Sequence, residues 1–412
     1  MQTDFVTMAG LDPKHITVIL LATFSVILCA EAVPGWEKLS KEEELDLDRQ
    51  LKLINKPAIK SFQTEDGDVI DCVDIYKQHA FDHPMLKNHK IQMKPTTIPK
   101  GIRNHESETT YKSLQYMLGN ISCPQGSVPI KRATRKDLIM ARHIKSIGFN
   151  HPTNTNASTS GIDEGGHHYA GVAYRAFVVG GRANINVWNP SVKVNQFSIA
   201  SMSISKGPKQ QMNNVQVGWG VNKALYPDGS RLYTYWTGDG YQKTGCFNTL
   251  CPGFVQVSTK IHLGLNLRPV STYKGSQFHI AVSIQQDNST GNWLLTFFNE
   301  YVGYWPKALF TTMADGADYI SWAGSTYSII TDPTPTMGSG HFPKEGGYGI
   351  SAFVNSIQIM PNRFYKFVSP LYYVLDTFAD VPQCYDVIKN VAKDPNWGAY
   401  IFFGGPGNCT FQ

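Results

Sequence analysis

From residue 255 the chain alternates. Val255, Val257, Thr259, Ile261, Leu263, Leu265 and Leu267 are interleaved with Gln256, Ser258, Lys260, His262, Gly264 and Asn266. Phe278, Ile280, Val282 and Ile284 repeat the pattern. A period of two over such lengths predicts strands with one buried face. The change of phase from Phe197 and Ile199 to Met202 and Ile204 predicts a bulge. Turn residues at Pro227-Asp228-Gly229 and Ser289-Thr290-Gly291-Asn292 separate the runs. A long succession of such strands predicts a mainly β fold, an antiparallel β-sandwich of two stacked sheets.

The N-terminal part reads differently. Ser40-Lys41-Glu42-Glu43 has capping-box spacing, Leu47, Leu51 and Ile54 share one helical face, and Pro57 closes the segment. Asp66-Gly67-Asp68 reads as a turn entering a strand at Val69. A second helix is expected between 122 and 145. The basic pairs Lys131-Arg132 and Arg135-Lys136 there read as a solvated face or a processing site. Residues 148–166, rich in Asn, Thr, Ser and Gly, read as a linker. The expected organisation is therefore a small α+β prosegment at 33–147, the linker, and the sandwich at 167–412.

Residues 1–32 read as a secretory signal. Lys14 and His15 precede an apolar run from Ile16 to Cys29, and Ala30-Glu31-Ala32 offers small residues for cleavage. That run is too short to span a bilayer. Six cysteines remain, an even number that suits disulfides in an exported chain. Pairing by locality joins Cys72 to Cys123, Cys246 to Cys251 and Cys384 to Cys409. No C-x-x-C spacing favours zinc, and no cofactor is expected. Acceptor sequons stand at Asn120, Asn156 and Asn288; a fourth, at Asn408, adjoins Cys409. Net charge is +5 and no basic stripe alternates with aromatics, which argues against nucleic acid as a partner.

Several chemistries find no pattern. Ser339 in Gly338-Ser339-Gly340-His341 lacks the full G-x-S-x-G motif. His167-His168 has no metal-ligand spacing around it and reads as a surface pair. Gly404-Gly405-Pro406-Gly407 reads as a turn, with no Lys-Ser/Thr to make it a phosphate loop.

Other runs do carry a resemblance. Asp71-Cys72-Val73-Asp74-Ile75-Tyr76 and Ala80-Phe81-Asp82-His83-Pro84 stand in the first part. The second part has Val215-Gln216-Val217-Gly218-Trp219, Leu232-Tyr233-Thr234-Tyr235-Trp236-Thr237, Trp322-Ala323-Gly324-Ser325 and Met337-Gly338-Ser339-Gly340-His341-Phe342-Pro343. Together these resemble the neprosin family of secreted glutamic peptidases, activation peptide included. The resemblance implies two stacked antiparallel sheets and a groove in which two glutamates cleave peptides at proline in acidic surroundings. It matches those glutamates to Gln216 and Ser325.

Neither residue is an acid. An amide can donate to a developing oxyanion but cannot serve as a general base, and a serine hydroxyl is far too weak a base to replace a carboxylate. Among the acids elsewhere in the second part, Glu164, Glu300 and Glu345 read as linker or surface charges. Asp239 is the least implausible substitute. Trp219, Tyr235, Trp236, Trp305 and Trp322 are the candidate liners of a ligand groove. The leading expectation is a secreted relative of prolyl endopeptidases, extracellular in the apoplast or wall or else vacuolar, that binds extended proline-containing peptides without cleaving them. An active peptidase with a displaced acid is the alternative. A carbohydrate-binding protein with wall polysaccharide as partner is the third reading.

Overall fold

The computed structural model describes residues 39–99, 121–146, 166–226, 229–362, 364–389 and 397–411. The expected signal, Asn120, Asn156, Glu164 and nearly all of the expected linker lie outside the described residues. In the prosegment, α1 (Lys41–Ile54) begins at the expected capping box: Ser40 Oγ accepts from Glu43 N, and the Glu43 carboxylate accepts from Ser40 N. Leu47 and Ile54 turn inward against α2 (Arg135–Ser146) and its approach, packing with Ala133 and Leu138. A three-stranded antiparallel sheet of β1 (Ala58–Gln63), β2 (Val69–Asp74) and β3 (Ser127–Lys131) completes this unit. Three of the four basic residues read as a processing site are ion-paired there: Lys131 with Asp68 and Asp137, Arg132 with Asp71, and Arg135 with Asp48.

The rest is an antiparallel sandwich of two sheets, as the alternation predicts. In chain order its strands are β4 (His167–Tyr174), β5 (Gly180–Asn186), β6 (Phe197–Lys206), β7 (Asn213–Val221) and β8 (Arg231–Thr237). They continue with β9 (Cys246–Phe247), β10 (Val255–Gln256), β11 (His279–Gln286), β12 (Trp293–Phe297) and β13 (Glu300–Trp305). The last five are β14 (Tyr319–Tyr327), β15 (Ala352–Met360), β16 (Asp376–Ala379), β17 (Asp386–Lys389) and β18 (Ala399–Gly404). One sheet runs β16-β4-β14-β6-β7-β8-β9 and the other β10-β13-β12-β11-β5-β15-β18-β17. Val215, Val217, Met202, Ile204 and Val172 from the first meet Ile185, Ile280, Leu295, Val354 and Phe403 from the second in one core. The three disulfides join the cysteines paired by locality, with Cα separations of 5.4, 5.8 and 6.1 Å.

Three local expectations fail. The run from Val255 to Leu267 forms only the two-residue β10 and then an irregular extended segment. Its apolar residues are still buried, and Gly264 N and Leu267 N donate to Leu232 O and Ser230 O. No bulge occurs in β6: its register with both neighbours is unbroken, and apolar side chains on both faces produce the change of phase. The histidine pair is not on the surface. His167 and His168 are buried, His168 Nδ1 lying 2.9 Å from Asp380 Oδ2 and His167 packing on Tyr327 and Phe197.

The prosegment closes one edge of the eight-stranded sheet. Gln78 presents its side-chain amide to edge strand β10 as a strand presents its backbone: Gln256 N donates to Gln78 Oε1 at 2.7 Å, and Gln78 Nε2 donates to Gln256 O at 3.0 Å. Ala80, Phe81 and Ile91 pack on Val255, Val257, Leu294 and Tyr304. Asp68 bridges Lys131 of the prosegment to Arg231 of β8 at 3.5 and 2.5 Å.

His262 is buried beside this junction. Burial pushes its pKa down to about 4, and Arg231 and Lys131 add to that against the opposing Leu263 carbonyl and Asp68. The native state therefore holds it neutral, whereas an unfolded chain protonates it below about pH 6.5. The stability this neutrality confers is intact above pH 6.5 and is lost as pH falls toward 4, by roughly 3 kcal/mol. Urea unfolding at pH 7, 5.5 and 4 should show that decline, and His262→Leu should flatten it by about one proton. Identical slopes in the two proteins would contradict this assignment.

Candidate functional site

Strand register builds the site. Gln216 on β7 pairs with Ser203 on β6, and Ser203 pairs with Ser321 on β14, so the three form one row across the seven-stranded sheet. Directly paired residues share a face, and alternate residues along each strand face the other way. Gln216, Ser203 and Ser321 therefore point away from the core that takes Val215, Val217, Met202, Ile320 and Trp322. Two interstrand spacings separate Gln216 from Ser321, roughly 10 Å between Cα atoms.

Ser325, matched to the second glutamate from sequence, is not in this row. It shares the face but pairs with Ile199, which in turn pairs with Gly220, four residues farther along. That offset is roughly 13 Å of strand. The residue standing opposite Gln216 is Ser321. The pairing rests on how β6 aligns with both neighbours, which no local motif encodes. The adjacent Trp322 is nonetheless a fixed point from which it could have been counted.

Four of the five aromatic candidates belong to the core. Trp219, Trp236, Trp305 and Trp322 are at most 1% exposed and pack inside the sandwich. Alternation explains three of them: each lies an odd number of positions from Gln216 or from residues paired in its row. Tyr235, paired with Gln216, is on the site face. Tyr233 and Tyr319 stand there as well, and Tyr241 reaches in from the loop after β8.

These tyrosines hold Gln216. Tyr233 OH donates to Gln216 Oε1 at 3.3 Å, and Gln216 Nε2 donates to Tyr241 OH at 3.4 Å. Tyr241 OH donates to Asn214 Oδ1, whose Nδ2 donates to Ser203 Oγ at 2.6 Å. Burial raises the pKa of Tyr233 and Tyr241 well above the usual phenol value, and that of Tyr319 to about 12, so all three are neutral donors at any physiological pH. The arrangement presents amide and hydroxyl groups and no base. Among the described strand residues on this face, the one carboxylate is Asp376 in edge strand β16, ion-paired with Arg175 at 3.3 Å.

Other acids are committed elsewhere. Asp239 accepts from Thr237 Oγ1, Lys243 N, Thr244 N and Thr244 Oγ1, and so organises the turn that carries Tyr241. Glu345 accepts from Phe342 N and pairs with His341 Nδ1 at 2.8 Å. His341 is thereby held to Glu345 and stacked on Tyr273 at 4.2 Å. Glu300 is exposed on β13. Among the described residues, no three His, Cys, Asp or Glu side chains converge as a metal site.

Comparison with known families decides the affiliation. A family model described as Neprosin matches residues 194–406, more than half of the chain, and one described as Neprosin activation peptide matches 61–174. The chain belongs to the neprosin family. Among solved structures, scytalido-glutamic peptidase with a peptide-based transition-state analogue is similar over 58% of this neprosin-family chain and 97% of its own. Its identity is 12% and its TM-score 0.30. SCP-B, a member of the eqolisin family of peptidases in complex with the tripeptide Ala-Ile-His, covers 57% of this chain and 96% of its own, with 11% identity and a TM-score of 0.29. No residue role is carried over from either. Of the sequons, Asn288 and Asn408 fall among the described residues; both are exposed, Asn288 in the turn between β11 and β12.

Asp239→Ala should lower stability by about 2 kcal/mol, because hydrogen bonds to a charged acceptor contribute roughly 1.5–3 kcal/mol in such settings. Asp239→Asn should recover part of the loss. Thermal and urea unfolding of both variants measure this. Unchanged stability would mean that the carboxylate is not structural and is free for chemistry.

Proposed function

We propose that this neprosin-family chain is exported and binds extended, proline-containing peptides along the Gln216–Ser203–Ser321 row without hydrolysing them. The observation that carries this reading is the composition of the row: one amide, two hydroxyls and no carboxylate. Water-dependent peptide hydrolysis without a metal or covalent nucleophile needs a group that takes the proton from water and one that polarises the carbonyl. Gln216, oriented by two tyrosines, suits the second task. Ser321 cannot perform the first.

The same donors suit retention of a peptide. Gln216 Nε2 and the hydroxyls of Ser203 and Ser321 can meet backbone carbonyls, and the tyrosine rings offer surfaces on which pyrrolidine rings pack. Three disulfides and the signal-like first 32 residues support export, and no described helix is long and apolar enough to cross a membrane. In the full-length chain Gln216, Ser203 and Ser321 are at most 4% exposed, so ligand entry follows an opening of this face. We assign the prosegment to 33–147, the linker to 148–166 and the ligand-binding sandwich to 167–412.

The test installs the missing acids. The natural protein, before and after limited proteolysis within 148–166, is incubated with a proline-containing peptide from pH 3 to 7, beside Gln216→Glu/Ser321→Glu and Gln216→Glu/Ser325→Glu variants of wild-type circular dichroism. The natural chain should bind the peptide and release no product. The Ser321 pair should gain cleavage by at least about 10²-fold, the usual contribution of a positioned general base. The Ser325 pair should stay silent. Turnover by the natural chain, abolished by replacing Asp239 or Glu300, would overturn the proposal, and activity in the Ser325 pair alone would overturn the row.

A further inference from the structure

The prosegment is built into the sandwich, not laid over it. Leu86, in the turn Pro84–Leu86, is fully buried as a member of the sandwich's own hydrophobic core. That turn packs on the turn Lys307–Leu309 after β13. Phe81 reaches the same core and joins Ala80 on Val255, Leu294 and Tyr304, each of which is at most 1% exposed. The packing runs both ways: Leu250 of the sandwich enters the prosegment's own cluster around Leu47 and Leu138.

Polar groups at the junction are matched as in a protein interior. Gln92 is buried; its N–H donates to Tyr304 OH at 2.9 Å, and its carbonyl accepts from Tyr301 OH at 3.3 Å. Its Oε1 accepts from Thr290 Oγ1 and Asn292 Nδ2, both at 2.8 Å, and its Nε2 donates to Lys94 O. Four residues on, Thr96 N and Oγ1 each donate to the Asp287 carboxylate at 2.8 Å, and Asp287 is 1% exposed. Elsewhere along the junction Cys123 N donates to Thr259 O at 2.8 Å, and Asn266 Nδ2 donates to Asp66 at 2.6 Å. Hydrogen bonds in such a dry junction add to the apolar burial and fix one geometry.

None of the three disulfides crosses this junction. Cys72–Cys123 lies within the prosegment, and Cys246–Cys251 and Cys384–Cys409 lie within the sandwich. Apart from the chain itself, the two parts are therefore held by packing, hydrogen bonds and ion pairs. Cys72–Cys123 also fastens the strand leading to Gln78 to the segment at Cys123, so the contacts on either side form and break together. An apolar centre with matched hydrogen bonds is the anatomy of a stable assembly. Losing it would bare the β10 edge and the apolar cluster beneath Phe81.

We propose that the prosegment is a permanent partner of the sandwich, retained as a separate, non-covalently bound chain when the connection at 148–166 is severed. Its role is structural: it supplies Leu86 to the core and keeps the β10 edge closed for the life of the protein. A prosegment made to be shed would leave a complete core behind, whereas this one would take part of the core with it. Retention does not depend on what the Gln216 row binds, so either reading can fail without the other.

The test places a recognition sequence for a site-specific protease within 148–166 of the full-length protein. After complete cutting, the protein is diluted to about 1 μM and passed over a size-exclusion column at pH 7 and pH 5. Both chains should co-elute at both pH values and part only in denaturant. The urea concentration at which they part measures retention. Leu86→Ala and Gln92→Ala should each lower it, reflecting association at least about 10-fold weaker. Circular dichroism of each uncut variant separates loss of the junction from loss of the fold. A prosegment that elutes alone from the cut natural protein overturns the proposal, whether the sandwich then stays soluble or precipitates. Retention indifferent to both substitutions overturns it as well.

Discussion

The unbroken register of β14, β6, β7 and β8 is the constraint on which the molecule depends. Burial of Trp219, Met202, Ile204 and Trp322 supplies the driving force for the sandwich, and each fully buried large apolar side chain contributes about 1.5–3 kcal/mol. Because side chains alternate, driving those residues inward presents Gln216, Ser203 and Ser321 on the other face in one line. A slip of one residue in β6 would turn Met202 and Ile204 out of the core and Ser203 into it. The site is thus held in place by packing energy on the far side of its own strands. The chemistry on the near face can change without disturbing the fold.

This separation explains what could be read from the chain alone. The sandwich, the α+β prosegment, the capping box at Ser40 and all three disulfides follow from periodicity, local signals and cysteine order, each of which acts over short distances. The partner of Gln216 could not be found that way. Ser321 and Ser325 lie on the same strand and the same face, and only pairing through β6 distinguishes them. The tryptophans misled for a related reason: they flank the site in sequence, but a residue one step along a strand points to the opposite side. Asp239 drew notice as an acid between glycines, whereas its carboxylate is fully engaged by the turn it organises.

The prosegment contributes in a different way. Among the described residues it covers the β10 edge and the Val255–Tyr304 cluster, not the Gln216 row. An exposed edge strand invites pairing with other chains, and the Gln78 amide closes it as a further strand would. The neutral His262 makes the same junction responsive to pH. Edge protection and acid sensitivity therefore meet in one interface, apart from the Gln216 row.

The central claim is that the row holds a peptide but cannot activate water. The most direct measurement is incorporation of heavy oxygen: a proline-containing peptide incubated for days with the processed natural protein in ¹⁸O-labelled water at acidic pH, followed by mass spectrometry of every carboxyl terminus. The account predicts intact peptide and no label above the protein-free control. Label at newly formed carboxyl termini, absent when Gln216 is replaced by alanine, would show that the row still catalyses hydrolysis and would contradict it.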